Sequence, residues 1–161
     1  MTSVTPIEPD ASVVAVLPGF TFADSYRTTV DEAVLTAPEA ARRSFARSPA
    51  WFRKLLALRN RLGAFVGLKV AGSTNAPGAR RDYGNFPVVA ETANRVILGF
   101  NDKHLDFRIV IDANPAADHT DVSVSTVVKT HNLLGRTYLA LVLPFHRLIV
   151  PTMVRRIPIS D

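Results

Sequence analysis

The sequence predicts a single α+β domain in which a curved antiparallel β-sheet wraps around a long C-terminal helix. Several short strands separated by tight turns occupy the second half of the chain. One of them alternates between apolar and polar residues, which is typical of a sheet with one dry face. The most apolar stretch of the chain, Leu133–Met153, follows these strands and is the segment best able to cover that face.

The composition is that of an ordinary globular domain. The chain has 161 residues, of which 47% are hydrophobic and 20% charged, so general disorder and a coiled coil are not expected. The absence of cysteine excludes disulfides, thiolate catalysis and cysteine-based zinc sites. It is compatible with a reducing cytoplasm, where we expect the protein to be located, and the apolar run Val13–Leu17 is too short for a secretion signal.

The charge balance is mildly basic, with 19 lysines and arginines against 14 acidic residues, a formal net charge of +5. A basic patch could contact nucleic acid or anionic lipid. We favour a solvated helical face, because the basic residues from Arg42 to Arg61 are not interleaved with the aromatic row that single-strand binders use. No nucleic-acid partner is therefore expected.

The first elements are an arm and a strand. Residues 1–18 show no clear period and contain three prolines, so we predict an extended arm ahead of a domain at 19–158. Phe20–Val30 has the alternation of a first strand.

Two short helices are predicted next. Thr36 is a plausible N-cap, Pro38 suits a first helical turn and Glu39 suits the positive end of the helix dipole, so one helix should end near Phe45–Arg47. Ser48-Pro49 predicts the start of a second helix, and Trp51 begins its apolar stripe.

A long loop and a meander of strands follow. Ala71–Asn85 is rich in glycine and reads as a loop, either a lid or a mobile segment. Four strands are then predicted, with short turns between them that require antiparallel neighbours. Their predicted bounds are Phe86–Thr92, Arg95–Phe100, Leu105–Ala113 and Thr120–Thr130.

The last element is a helix that Asn132 should cap and that should run from Leu133 toward Arg155, with Pro151 breaking or ending it. Its predicted core-facing stripe consists of Tyr138, Leu141/Val142, Phe145 and Leu148/Ile149. Arg136, Pro144, His146 and Arg147 make the segment a poor membrane span, so we expect a helix buried in the protein core. The resulting architecture is the helix-grip fold.

Three segments carry a family resemblance. They are His104-Leu-Asp-Phe-Arg108, Ser125-Thr-Val-Val-Lys-Thr-His-Asn-Leu-Leu-Gly-Arg-Thr-Tyr138 and Pro144-Phe-His-Arg147. Together with Ser48-Pro-Ala-Trp51 and Leu58-Arg-Asn60, they resemble an uncharacterised bacterial family, domain of unknown function 2867, over roughly Phe20 to Arg156. That family looks related to the START-like superfamily, which includes the birch-pollen allergen and polyketide cyclases. The resemblance implies a helix-grip fold and a cavity between sheet and helix, but no reaction.

No motif predicts a metal or a cofactor. The four histidines do not have metal-ligand spacing, and His131 and His146 are separated by about 20 Å of predicted helix. Gly72, Gly78 and Gly84 lack the spacing of a phosphate loop. We therefore expect neither metal nor cofactor.

A polar row on one strand has two interpretations. His104, Asp106 and Arg108 share a strand face, where His104 and Asp106 could act as a base and its orienting carboxylate. We favour a solvated or ion-paired row on the outer face of the sheet. A third possibility is that His104 and Asp106 bind neighbouring loops.

Eight residues are candidate ligand contacts, each with a structural alternative. Trp51 could lie at the entrance of the cavity or pack in the core. Thr126 could be a polar group of the cavity or simply a residue that favours a strand. Arg136 could bind a ligand carboxylate or a surface acid. The buried hydroxyl of Tyr138 requires a partner. The full set is Trp51, Phe107, Thr126, His131, Arg136, Tyr138, Phe145 and His146.

Three functions remain open at this point. The first is binding of a small hydrophobic or amphipathic ligand in the cavity. The second is a cyclase-like or hydratase-like enzyme that uses a cavity histidine and aspartate as acid and base. The third is a non-catalytic interaction protein with a closed cavity, which could form a homodimer. We rank them in that order.

Overall fold

A computed structural model describes residues 3–46, 82–84 and 86–159. Its helices are α1 (Ala11–Val14), α2 (Ala37–Phe45) and α3 (Leu133–Val154). The strands are β1 (Thr5–Ile7), β2 (Phe22–Val30), β3 (Asp82–Tyr83), β4 (Phe86–Glu91), β5 (Arg95–Asn101), β6 (Leu105–Pro115) and β7 (Thr120–Thr130). The predicted second helix, with Trp51, and most of the predicted loop at Ala71–Asn85 lie outside the described residues.

The described strands form one antiparallel sheet in the order β1-β2-β7-β6-β5-β4-β3. The longest pairing joins β6 to β7, from Leu105 opposite Thr130 to Pro115 opposite Thr120. The tight turns of the meander leave no room for a crossover, so consecutive strands must run antiparallel. The predicted α+β architecture, with a long C-terminal helix and, among the described residues, a short helix between β2 and the meander, is confirmed.

The two faces of the sheet bury different elements. We call the face under α2 and α3 the helix face, and the opposite one the outer face. On the helix face, α2 buries three alanines against the largest core cluster, which includes Leu98 and Ile111. On the outer face, Val13 of α1 packs in a smaller cluster with Val110 and Val127. Residues of the N-terminal arm thus contribute one edge strand, β1, and a cover for the outer face.

Both predicted helix caps are confirmed. The Thr36 side chain accepts a hydrogen bond from the Glu39 amide at 3.4 Å, and α2 ends at Phe45 as expected. The Asn132 side chain accepts one from the Gly135 amide at 2.9 Å at the start of α3. Each bond satisfies an amide that the first helical turn leaves without an internal partner.

The predicted extent of the last helix, from Leu133 toward Arg155, is confirmed, because α3 runs to Val154 and Arg155 follows as its cap. The expected break or end at Pro151 is wrong, because the helix continues through it. Proline removes the bond to the carbonyl four residues earlier, here that of Arg147. Arg147 is exposed, so water can replace the lost donor. Met153 and Val154 are buried, and their packing stabilises the turn beyond the proline.

The predicted core-facing stripe of α3 is also partly wrong. Leu141, Phe145 and Leu148 are exposed, whereas Val142 and Ile149 face the sheet. Within α3, the fully buried residues are Gly135, Met153 and Val154, so the helix is not buried in the core as expected. It is apolar on nearly every side, and its period therefore could not indicate which side meets the sheet.

Gly135 sets the orientation of α3. A Cβ atom at this position would lie 2.1 Å from the carbonyl oxygen of His104, which closes the turn before β6. Only glycine allows that approach, so the side of α3 that carries Gly135 lies on the sheet.

Gly135→Ala should destabilise the protein by about 1–3 kcal/mol, because the new methyl group forces α3 away from the His104 carbonyl. Alanine in place of glycine would otherwise stabilise a helix by about 1 kcal/mol. Urea unfolding followed by circular dichroism measures the difference.

The matched control is Ala140→Gly, at an exposed position of the same helix. It should cost about 1 kcal/mol from helix propensity alone. A Gly135→Ala variant that is more stable than the wild type would show that α3 does not touch the turn at His104.

Candidate functional site

A cavity of about 210 Å³ lies between the helix face of the sheet and α3. Its floor consists of side chains from β2, β4, β5, β6 and β7, and its roof of side chains from α3. Ser44 and Phe45 at the end of α2 close one side. The roof residues include Leu139, Val142 and Val150, all of which lie on the side of α3 that Gly135 turns toward the sheet.

Among the residues that the structure describes, five phenylalanines line this cavity: Phe22, Phe45, Phe86, Phe100 and Phe107. The rings of Phe100 and Phe107 meet edge to face with centroids 4.6 Å apart, and Phe86 contacts Phe107 at 5.5 Å in the same geometry. Such edge-to-face contacts fix the rings in place, so the wall is aromatic and preformed.

In the described part of the chain, the polar side chains that reach this largely apolar wall are Ser44, Thr126, Tyr138 and His146. The Ser44 hydroxyl donates to the carbonyl of Ala41 at 3.2 Å, within its own helix. Thr126 is almost fully buried on β7. The polar groups are thus few and separated, a pattern common in sites for apolar ligands.

His146 forms the most chemically distinctive contact of the cavity wall. Its Nε2 lies 3.0 and 3.1 Å from the two carboxylate oxygens of Asp24 on β2. The edge of its ring also meets Phe22, with centroids 6.0 Å apart. A carboxylate that binds one imidazole nitrogen fixes the tautomer and leaves the other nitrogen as an acceptor.

Asp24 was not singled out from the sequence, although a signal was present. The register places Asp24 opposite Thr126, on the same side of the sheet as Tyr26. An acidic residue in the period of a dry face requires a partner, because an unpaired buried charge is costly. The identity of that partner could not be read from the sequence, since His146 is 122 residues away.

Tyr26 extends this polar group. Burial raises the pKa of its phenol above the usual 10.0, and the negative charge of Asp24 raises that pKa further. The positive charge of Arg147 acts in the opposite direction. Asp24 therefore interacts with both His146 and Tyr26 at one side of the cavity.

The predicted ligand contacts fall into two groups. Phe107, Thr126, Tyr138 and His146 line the cavity. Arg136 and Phe145 are exposed, because the contact of Gly135 turns a different side of α3 toward the sheet. His131 follows β7, and its Nε2 lies 3.1 Å from a carboxylate oxygen of Asp106. Trp51 lies outside the described residues. All of their binding roles stay predictions.

The polar row His104, Asp106 and Arg108 contacts residues of the β5–β6 turn and the start of α3. The Asn132 side-chain amide donates to His104 Nδ1 at 3.0 Å. Asp106 accepts from the backbone amide of Asp102 at 3.1 Å, and Arg108 donates to the Asn101 side chain at 2.7 Å. These contacts correspond to the interpretation in which the row binds neighbouring loops. Among the described residues, no group of three His, Asp or Glu side chains could hold a metal ion.

A family model described as "Protein of unknown function (DUF2867)" matches residues 16–153. No curated protein and no solved structure matches the chain. The family match covers every cavity-lining residue named above, from Phe22 to Val150.

Asp24→Asn should lower the pKa of Tyr26 toward that of an ordinary tyrosine, because it removes the carboxylate charge that opposes phenolate formation. The stability that the protonated phenol contributes is complete below about pH 10 and is lost as the pH rises through the raised folded-state value. In Asp24→Asn this contribution should therefore be smaller, and its loss, which begins near the same pH, should be complete at a lower pH.

The measurement is an alkaline titration of phenolate absorbance, with Tyr26→Phe used to identify the signal of Tyr26 among the three tyrosines. Asp121→Asn, which removes a carboxylate on β7 away from the cavity, is the control and should leave that signal unchanged. An identical Tyr26 titration in Asp24→Asn and in the wild type would contradict the arrangement.

Proposed function

The chain belongs to the DUF2867 family of proteins of unknown function, and we propose that it binds a small apolar or amphipathic molecule in the cavity beneath α3. The observation that carries the proposal is the preformed aromatic wall, in which five phenylalanines surround a hollow that α3 does not fill. Native interiors are normally close-packed, so a void of this size is unusual unless something occupies it.

The volume limits the size of the ligand. An apolar cavity of roughly 150 Å³ stays dry and accepts benzene, whereas sites for drug-sized ligands measure roughly 300–1,000 Å³. At about 210 Å³, this cavity suits a substituted aromatic ring or a medium-length alkyl chain. Its apolar wall would exclude water, and the driving force would be burial of apolar ligand surface.

The polar groups would orient an amphipathic ligand. His146 is half-buried, lines the cavity and is fixed by Asp24, so a hydroxyl or carboxyl group of the ligand would bind at this side. The phenylalanines Phe86, Phe100 and Phe107 would surround its apolar part. We also propose that the family is related to the START-like superfamily and that the protein is located in the cytoplasm.

Val142→Phe should weaken binding of a medium-chain alcohol or of toluene by about tenfold or more, because the larger ring occupies the cavity. Isothermal titration calorimetry with octanol, octanoic acid and toluene measures the affinity directly. A thermal melt of the unliganded variant checks that it folds.

Ala140→Phe is the matched control, since it adds a larger side chain two residues away on the exposed side of α3. It should bind the same probes as the wild type does. If the wild type binds none of them, or if both variants bind equally well, the cavity is not the binding site.

A second candidate function is acid–base catalysis, favoured by the bond between His146 and Asp24 at the cavity wall. An imidazole whose tautomer is fixed by a carboxylate can abstract a proton from a bound substrate. The carboxylate then stabilises the imidazolium that forms. Removal of a proton next to a carbonyl group would give an enolate, to which the imidazolium returns a proton.

Exchange of the α-protons of cyclohexanone in D₂O, followed by proton NMR, tests this second function. The wild type should accelerate exchange over free imidazole by about 10²-fold or more, and His146→Gln should remove the acceleration. His119→Gln, which alters an exposed histidine in the β6–β7 turn, should exchange at the wild-type rate. No acceleration by the wild type would leave binding as the supported function.

A further inference from the structure

Helix α3 carries an exposed apolar stripe on the side turned away from the cavity. It consists of Leu134, Leu141, Phe145 and Leu148, with exposed fractions of 39%, 68%, 49% and 67%. The spacing of seven, four and three residues places all four on one side of a helix. We call these residues the outer stripe. Large apolar side chains that are exposed in a row usually mark an interaction surface.

The helix as a whole is unusually apolar for one at a protein surface. Among the described residues, α3 is the helix long and apolar enough to cross a membrane by length and composition. Its most apolar 18-residue window has a mean hydropathy of 1.4, and only 11% of that window is buried in the protein. The outer stripe therefore leaves apolar surface in contact with solvent over much of the helix.

The charged side chains that α3 itself carries all have the same sign. Arg136 and Arg147 are exposed on the other flank of the outward side of α3, and Arg155 is exposed just past its end. The segment from Leu133 to Arg156 contains no aspartate or glutamate. The complementary surface is consequently apolar and anionic.

We propose that α3 binds the surface of an anionic lipid bilayer, with the outer stripe in the acyl-chain boundary and the arginines at the headgroups. A helix of this length covers about 33 Å, enough for several lipids along its axis. Amphipathic helices with leucine, phenylalanine and basic residues lie in the membrane interface in this way. The proposal stands independently of what occupies the cavity.

The charge pattern disfavours a second copy of the chain as the occupant. A symmetric contact between two α3 helices would offer these arginines no acidic partner on the facing helix, because α3 carries no aspartate or glutamate. Anionic phosphates instead attract these side chains.

A membrane-spanning arrangement would also disrupt the fold. It would separate His146 from Asp24, remove Gly135 from the His104 carbonyl and expose the core residues Met153 and Val154. Binding along the surface leaves all of these contacts in place.

Cosedimentation of the full chain with vesicles tests the proposal. The probes are vesicles of phosphatidylcholine alone and of phosphatidylcholine with phosphatidylglycerol, each at low and high salt. We expect binding to the anionic vesicles that falls at high salt, and weaker binding to the neutral vesicles. The triple variant Leu141→Ser/Phe145→Ser/Leu148→Ser should bind the anionic vesicles at least about tenfold more weakly.

The matched control is Val34→Ser/Val89→Ser, which removes exposed apolar side chains elsewhere on the molecule and should bind as the wild type does. Circular dichroism should show the same melting midpoint for the triple variant and the wild type, because the outer stripe is exposed.

Three results would overturn the proposal. One is a wild type that does not bind anionic vesicles. Another is binding that resists both high salt and alkaline carbonate, which would indicate a span. The third is a wild-type dimer in light scattering that the triple variant converts to a monomer without a change in vesicle binding, which would make a second copy the occupant.

Discussion

The contact between Gly135 and the carbonyl of His104 determines how the C-terminal helix lies on the sheet. It brings the helix backbone against the β5–β6 turn at one end of α3. At the other end, Met153 and Val154 are buried in the core, together with Ile157 just beyond the helix. Between these ends, His146 bonds to Asp24. The helix is thus held at three places, and the side chains between them surround a hollow.

The same contact divides α3 into a side that faces the sheet and a side that faces outward. The side turned inward carries Val142, His146 and Ile149 and completes the cavity with the phenylalanines of the sheet. The side turned outward carries the outer stripe and the arginines. A helix that is apolar all round would normally be buried all round or lie in a membrane. Here a single helix accounts for both the proposed ligand site and the proposed lipid contact, since each uses apolar surface that the protein core does not bury.

Local features of the fold could be predicted from the sequence, whereas features that depend on how α3 packs on the sheet could not. The caps at Thr36 and Asn132, and β7 at Thr120–Thr130, follow from side-chain chemistry and alternation within a few residues. The side of α3 that faces the sheet could not be predicted in this way, because the apolar residues of the helix have no clear period. The contact of Gly135 determines which side it is. The candidate contacts on strands, Phe107 and Thr126, both line the cavity. Those on α3 divide, since Tyr138 and His146 line it whereas Arg136 and Phe145 are exposed. The pairing of His146 with Asp24 depends on how α3 lies on the sheet, so it could not be predicted from the sequence either.

If α3 is held above the sheet over an apolar cavity, that cavity should admit a small apolar atom. A crystal structure determined under xenon pressure measures this, because xenon enters dry apolar cavities and scatters strongly. We expect a xenon peak between Phe107 on the sheet and Val142 on the helix. Side chains of α3 packed against the phenylalanines, with no xenon between them, would contradict it.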